Sequence, residues 1–424
     1  MNNRIPKAKR NKRVIIILYL LISSTILSAC EGTVGRREIE DLGIVTAIGV
    51  DYVNDEVIVT LEVVNPLASS ISAQASSTKT EGQKYVYPQG RGKTIKDAIS
   101  NINLYFDKKI FLSHSNILVL GEEFAKRGTI DLMDFFIRDS QPREDMYIVV
   151  AKGARASDII GVKAGLGRPT GTYLYDTLNN FSSNGKSINI SIAEKYRYYY
   201  DVSNEPVIGL VQLKEVVRSD DELKKEEQTA KVLDVAGGAV LSRDRLVGYF
   251  DGDEMMGFNF IVGDFKRGTI VFRTPVEDKD KKGTIIGADG VFTSLDIVSA
   301  KTKREITVND GKIHLTIDVK LKAGLNEINQ ALDVIDEEVM TRIEKACSDK
   351  VKELISTTLE KGQKEFKQDS FSIGVTVHQQ HPKLWKEIAT DWNNIFPEIT
   401  YDVKVETTIV KIGLMNLPAN LRRK

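Results

Sequence analysis

Apolar and polar residues alternate with a period of two in several stretches, the spacing that puts one face of a strand in a core and the other in water. Ile313, Leu315, Ile317, Val319 and Leu321 form the clearest such face, with His314, Thr316, Asp318 and Lys320 opposite. Ile306 and Val308 carry the same pattern on the far side of Asn309-Asp310-Gly311, a turn signal, so residues 304–322 are predicted to form a hairpin. Val57, Val59, Leu61 and Val63 make a second face, and Tyr401, Val403 and Val405 a third. Leu246 to Phe250 is a further predicted strand, and all are read as sheets with one wet side.

Elsewhere the apolar spacing lengthens to that of a helix. It does so over Ile95 to Tyr105, over Ile130 to Arg138, and most strongly over 326–366, where Ile328, Leu332, Ile335, Val339, Ile343, Cys347, Val351, Leu354 and Leu359 recur at about 3.6 residues. That stretch predicts one long amphipathic helix, broken near Gly362. Another helix should start at Pro382, carry Leu384, Trp385, Ile388 and Trp392 inward, and stop before Pro397. Strands and helices mix without regular βαβ alternation, so the fold class is α+β: mixed sheets with packed helices and one long amphipathic helix in the C-terminal half.

The N-terminus has a different texture. Six basic and no acidic residues occupy positions 1–29, and Val14 to Ala29 is an uncharged apolar run. As a helix it would reach about 24 Å, short of the ~30 Å of a bilayer's hydrocarbon core, so it reads as an export signal rather than a permanent span. The run ends in Leu27-Ser28-Ala29-Cys30: small residues at a cleavage point, then a thiol. This resembles a bacterial lipobox, which implies diacylglyceryl transfer to the Cys30 sulfur, cleavage before it and N-acylation. Two cysteines are present, so a lipidated Cys30 leaves Cys347 without a disulfide partner; a small buried thiol is the expectation there.

Past the signal, 395 residues hold 53 basic and 59 acidic side chains, a mildly acidic body without the surplus of Lys and Arg that nucleic acid requires. That length predicts more than one domain. The charged run Ser219 to Gln228 is read as a linker between an N-terminal region, 30–215, itself two subdomains, and a C-terminal region, 230–415. Glu277 to Lys282 and the Ser/Ala-rich Ser69 to Lys79 are read as further loops.

Candidate chemistry is sparse. Gly90-Arg91-Gly92-Lys93-Thr94 resembles part of a phosphate loop, but Tyr87 stands where the pattern needs its first glycine; a turn from Pro88 to Gly92 leading to a helix capped by Thr94 is the better reading. His378 and His381 lack a third ligand in any metal-binding frame and fit a polar strand-to-helix connection. Asp251, Asp253 and Glu254 lack the spacing of a calcium loop and read as a solvated turn. Tyr196, Tyr198, Tyr199 and Tyr200 cannot share one strand face, and no Gly-x-Ser-x-Gly elbow occurs. No catalytic residue, cofactor site or metal site is assigned, which favours binding or assembly over catalysis.

The order of motifs supplies a resemblance. Arg37-Glu38-Ile39-Glu40-Asp41-Leu42-Gly43-Ile44-Val45-Thr46-Ala47-Ile48-Gly49-Val50-Asp51 is followed by Gly92-Lys93-Thr94 with Asp97-Ala98-Ile99, then by His114 and Leu118-Val119-Leu120-Gly121-Glu122-Glu123, Ala125-Lys126-Arg127-Gly128 and Arg138-Asp139. Gly238-Ala239-Val240, Leu246-Val247-Gly248 and Gly257 come next, and the series closes on Asp369-Ser370-Phe371, His381-Pro382-Lys383-Leu384-Trp385, Trp392 and Phe396-Pro397-Glu398. In order and spacing this resembles the Ger(x)C lipoproteins, the C subunits of nutrient germinant receptors in endospore-forming bacteria. Two departures stand out: Glu31-Gly32-Thr33-Val34-Gly35 replaces the usual Trp-Asp after the lipidated cysteine, and Phe371-Ser372-Ile373-Gly374 replaces a glycine-rich Phe-Gly-x-Gly. The resemblance implies a non-enzymatic body of three mixed α/β domains, held by Cys30 on the outer face of the spore inner membrane. It implies integral membrane partners, subunits A and B, with germinant recognition mainly in B. The alternative from the lipobox alone is the substrate-binding lipoprotein of a transporter.

Overall fold

The computed structural model describes residues 41–64, 84–139, 141–162, 168–180, 184–200, 206–218, 228–275, 290–328 and 336–411, together with Tyr19. The chain divides into Met1–Leu42 and Gly43–Lys424, and the architecture that follows is that of the second unit. Cys30, the apolar run before it, the Ser69 to Lys79 and Glu277 to Lys282 loops, and Ser219 to Glu227 all lie outside the described residues.

The first sheet begins with β1 (Leu42–Val53) and β2 (Glu56–Val64), an antiparallel pair closed by Asn54 and Asp55, both at positive φ as a two-residue hairpin loop needs. β3 (Tyr85–Val86) and β4 (Gln89–Gly92) both add to β2. Then follow α1 (Ile95–Ile102), β5 (Lys109–Phe111), β6 (Ile117–Gly121), α2 (Glu122–Arg127), α3 (Ile130–Arg138), β7 (Tyr147–Ala151), α4 (Ala156–Ile159), α5 (Thr170–Asn179) and α6 (Ile192–Tyr200). β8 (Val207–Arg218), β9 (Gln228–Asp234), β10 (Gly238–Ser242) and β11 (Arg245–Phe250) complete a sheet ordered β11-β10-β8-β7-β6-β1-β2-β3, with β4, β5 and β9 attached to β2, β1 and β8.

Its centre, β1-β6-β7-β8, is parallel, a feature the hairpin-based reading did not anticipate. Successive residues of these strands enter different cores. Leu118, Leu120, Ile148 and Val150 pack with Ile95, Phe124, Leu132 and Phe136 from α1 to α3, whereas Ile117, Val119, Val149 and Ala151 pack with Ala156, Leu174 and Leu178 from α4 and α5. A sheet covered on both faces wants apolar residues at every position, so β6 and β7 read as plain apolar runs without alternation. β2 is also buried on both faces, which corrects the expectation of a wet side there.

The second sheet keeps that expectation. After α7 (Gly252–Val262) come β12 (Gly268–Arg273), β13 (Phe292–Asn309) and β14 (Lys312–Ile328), then α8 (Glu337–Lys361), α9 (Ile373–Gln380), α10 (Pro382–Ile388), α11 (Trp392–Ile395) and β15 (Thr400–Lys411). The order is β12-β13-β14-β15, with β15 parallel to β14. The hairpin predicted over 304–322 is present and longer, turning at Asp310 and Gly311, both at positive φ. Ile313, Leu315, Ile317, Val319 and Leu321 are buried in the core that also takes Val339, Ile343, Cys347, Val351 and Leu354 of α8.

The long helix is shorter at its start than the periodicity suggested. Leu325 and Ile328 belong to β14, where a bulge opposite Ser294 and Leu295 brings both half-buried side chains onto the same core three residues apart, while Leu332 and Ile335 lie outside the described residues. Helix α8 begins at Glu337, after Asp336, whose carboxylate caps the N–H of Glu338 at 2.8 Å. The predicted break at Gly362 is a wider π turn, Gly362–Phe366, where the missing Cβ lets the Phe371 ring lie against the backbone. Helix α3 occupies the residues predicted for it.

Candidate functional site

The residues singled out for chemistry resolve into structural parts. Gly90 and Gly92 lie in β4, not in a turn, and a Cβ on either would collide with the backbone or side chains of α1. Thr94 Oγ1 accepts from the Asp97 N–H at 3.1 Å, the expected cap, and Asp97 accepts from the Lys93 N–H at 2.9 Å. The backbone N–H groups that a phosphate loop would offer are used in strand pairing and capping.

The histidines scatter. His378 lies in α9 with its ring 5.9 Å from that of Trp385, and His381 ends α9, its Nε2 3.0 Å from the Ile306 carbonyl. HQQH is therefore a helix-to-helix junction, not the strand-to-helix connection expected, although α10 does begin at Pro382. His314 faces Thr400 and Asp402 on β15, and His114 packs near Phe111. Among the described residues no three His, Cys, Asp or Glu side chains converge as a metal site would require.

Asp251 and Glu254 form a reciprocal capping box at the start of α7, each carboxylate accepting from the other's backbone N–H at 2.8 and 2.7 Å, so the solvated turn is a helix N-terminus. Glu254 also pairs with Lys361 of α8 at 2.8 Å, and Asp253 with Lys186 at 3.0 Å. The Asp-x-x-Glu spacing was the available signal. The tyrosine cluster lies in α6 rather than a strand, with Tyr196 and Tyr198 packed on the first core.

Cys347 is fully buried in α8, and burial lifts its thiol from an ordinary 9.0 to about 11. A raised thiol favours the neutral folded form, so its stabilising effect is whole below pH 9 and disappears as pH climbs to 11. The advantage of the wild type over Cys347→Ala should shrink by about 2–3 kcal/mol across that window, read from denaturant unfolding at each pH. A constant difference between the two proteins would refute the assignment.

Three buried carboxylates went unassigned in the sequence. Asp51, at the end of β1, accepts from the N–H groups of Ala156 (2.7 Å) and Ser157 (3.0 Å) at the start of α4. Gly121 leaves room for it, because a Cβ there would overlap the Asp51 carboxylate. Glu62, fully buried on β2, accepts from the N–H groups of Thr170 and Gly171 and from the Thr46 hydroxyl, each at 2.8 Å. Asp369 accepts from Phe371, Ile373 and Gly374 N–H groups and from Trp392 Nε1. Burial pushes the carboxyls of Asp51 and Asp369 above the usual carboxylate range, while the N–H donors aimed at each pull the other way. The motif series contains Asp51 and Asp369 without revealing a role; Glu62 stood out only as a lone charge in the apolar run VIVTLEVV.

These groups hold elements together and present no nucleophile or acid–base pair to solvent. Among the described residues, no helix is long and apolar enough to cross a membrane. The comparisons with known proteins fit a chain of this build. Residues 35–213 match the family described as spore germination protein N-terminal domain, and 236–413 match spore germination B3/GerAC like, C-terminal. Spore germination protein KC of Bacillus subtilis (strain 168) is 24% identical over 96% of this chain and 98% of its own length. Spore germination protein B3 of the same strain is 25% identical over 92% of this chain and 96% of its own. The crystal structure of the GerBC protein shares the fold at a TM-score of 0.50 and 20% identity, covering 88% of this chain and all of that one. With both halves matched in order along nearly its whole length, the chain belongs to the GerAC-like family of spore germination proteins.

Proposed function

We propose that this protein is the lipid-anchored C subunit of a nutrient germinant receptor, working without catalysis beside two integral membrane subunits, A and B. The observation that carries the reading is the collinear match of both halves to spore germination domains, preceded by Leu27-Ser28-Ala29-Cys30. In this reading residues 1–29 are removed, Cys30 carries diacylglycerol and an N-acyl chain, and the body stands on the outer face of the spore inner membrane. Two acyl chains anchor stably where one does not. A body held at the bilayer meets membrane partners at high effective concentration, so modest contacts suffice for assembly.

The test is deletion of the gene followed by nutrient-triggered germination, with calcium dipicolinate as a trigger that bypasses the receptor. Loss of response to one nutrient set with the bypass intact is expected; a normal response to every nutrient would overturn the assignment. Cys30→Ala should then move the protein from the membrane fraction to the soluble one and reduce the nutrient response. Full membrane retention by that variant would sink the anchor.

A further inference from the structure

We propose that the loop joining α1 to β5, residues 103–108, together with Lys109 seats directly on the bilayer, with Leu104 and Tyr105 in the boundary between headgroups and acyl chains. The inference rests on the Cys30 anchor proposed above and adds which face of the body the anchor presents to lipid.

Leu104 is 83% exposed, more than any other large apolar side chain among the described residues, and its neighbour Tyr105 is 62% exposed. Water is a poor solvent for this pair, and a lone Leu on a surface would need no account, but here it sits beside an amphipathic ring. The ring is held in place: the Tyr105 hydroxyl donates to the Gln89 carbonyl at 2.6 Å and accepts from the Gln89 N–H at 2.9 Å. A fixed aromatic with a polar tip beside an aliphatic side chain suits the interface of a bilayer, which offers apolar and polar surroundings within a few ångströms.

The loop lies beside the start of β1. A Cβ on Gly43, at the start of β1, would lie 2.9 Å from the Phe106 ring and 3.5 Å from Lys108 Cβ. Gly43 follows Cys30 by thirteen residues. Thirteen residues reach at most about 45 Å, which bounds how far the start of β1 can stand from a lipidated Cys30. Charge agrees. Lys84, its ammonium 5.7 Å from the Tyr85 ring, precedes β3 at the same end, where Tyr85 pairs with Val64. Lys108 closes the loop and Lys109 follows it, with Asp107 beside them and the exposed Asp41 two residues ahead of Gly43. Three lysines against two aspartates leave a small positive surplus that favours an anionic surface, although the mature chain as a whole is mildly acidic.

The test is a Leu104→Trp variant of the full-length lipidated protein, reconstituted in vesicles of phosphatidylcholine and phosphatidylglycerol at about 7:3 with brominated acyl chains. The native Trp385 and Trp392 are 8% and 1% exposed and buried in the core beneath the second sheet, so they supply a steady background. A matching Val410→Trp variant places an indole on β15 at a position 46% exposed. Brominated lipid is expected to quench the emission added by Leu104→Trp at least about twofold relative to unbrominated vesicles, and to leave the emission added by Val410→Trp unchanged. Flotation of the protein with the vesicles while the indole of the Leu104→Trp variant stays unquenched would overturn the loop contact and leave the anchor standing. Failure to float would remove the anchor, and this inference with it.

Discussion

Replacing Asp369 with alanine is expected to destabilise the core beneath the second sheet by about 4–5 kcal/mol, because it strands four buried donors at once. The carboxylate accepts from three backbone N–H groups, Phe371 at 3.1 Å, Ile373 at 3.0 Å and Gly374 at 2.6 Å, and from the Trp392 indole at 3.0 Å. It therefore ties the start of α9 to α11 and fixes the turn that delivers Phe371 to Phe250, Phe258 and Phe396. Arg304 of β13 grips the same turn, its guanidinium donating to the Phe371 carbonyl at 2.6 Å. Asp369→Asn keeps one oxygen and should lose only about 2 kcal/mol. Denaturant unfolding followed by the emission of Trp385 and Trp392, both in this core, reads the difference directly. A loss below about 1 kcal/mol for the alanine variant would show that the donors find other partners, and the argument would fail.

How far the sequence revealed this fold depends on how many faces of each element are wet. The β13–β14 hairpin was legible because one face meets the core and the other meets solvent, so polar His314, Asp318 and Lys320 punctuate the apolar series. Helix α3 was legible for the same reason, with Leu132, Met133 and Phe136 inward and Asp131, Asp134 and Arg138 outward. The parallel centre was not, since Ile117 to Leu120 and Ile148 to Ala151 face cores on both sides and leave no polar marker. Nor was β4, whose glycines look like a turn until α1 is seen lying on them. The site divides along the same line. The proposed anchor at Cys30 rests on adjacent residues, a signal carried entirely in the chain order, whereas the partners of Asp51, Glu62 and Asp369 are set by folding, and the helix N–H groups that bind the first two lie more than a hundred residues away.

Glu62 gives the second large effect, and its location makes the outcome specific. Its carboxylate, inside β2, caps α5 from across the sheet, accepting from Thr170 and Gly171 N–H groups at 2.8 Å each, with the Thr46 hydroxyl as a third donor. A negative charge there meets the positive end of the helix, and Gly171 has no Cβ to hold the helix away from the Thr46 carbonyl. Glu62→Ala should cost about 3–4 kcal/mol, since two helix N–H groups become unpaired in a dry interior. Glu62→Gln, which keeps an acceptor and loses the charge, should cost about half of that. The loss should fall first on one layer. Amides of α5 and α4 should exchange with solvent far faster, while those of α1 and α3, packed on the opposite face of the same sheet, keep most of their protection. Equal loss on both faces would mean that Glu62 supports the whole sheet rather than the attachment of α5, and unchanged exchange would mean that it supports neither. The expected asymmetry follows from the double covering of the parallel centre, because each face has its own core and only one of them depends on this carboxylate.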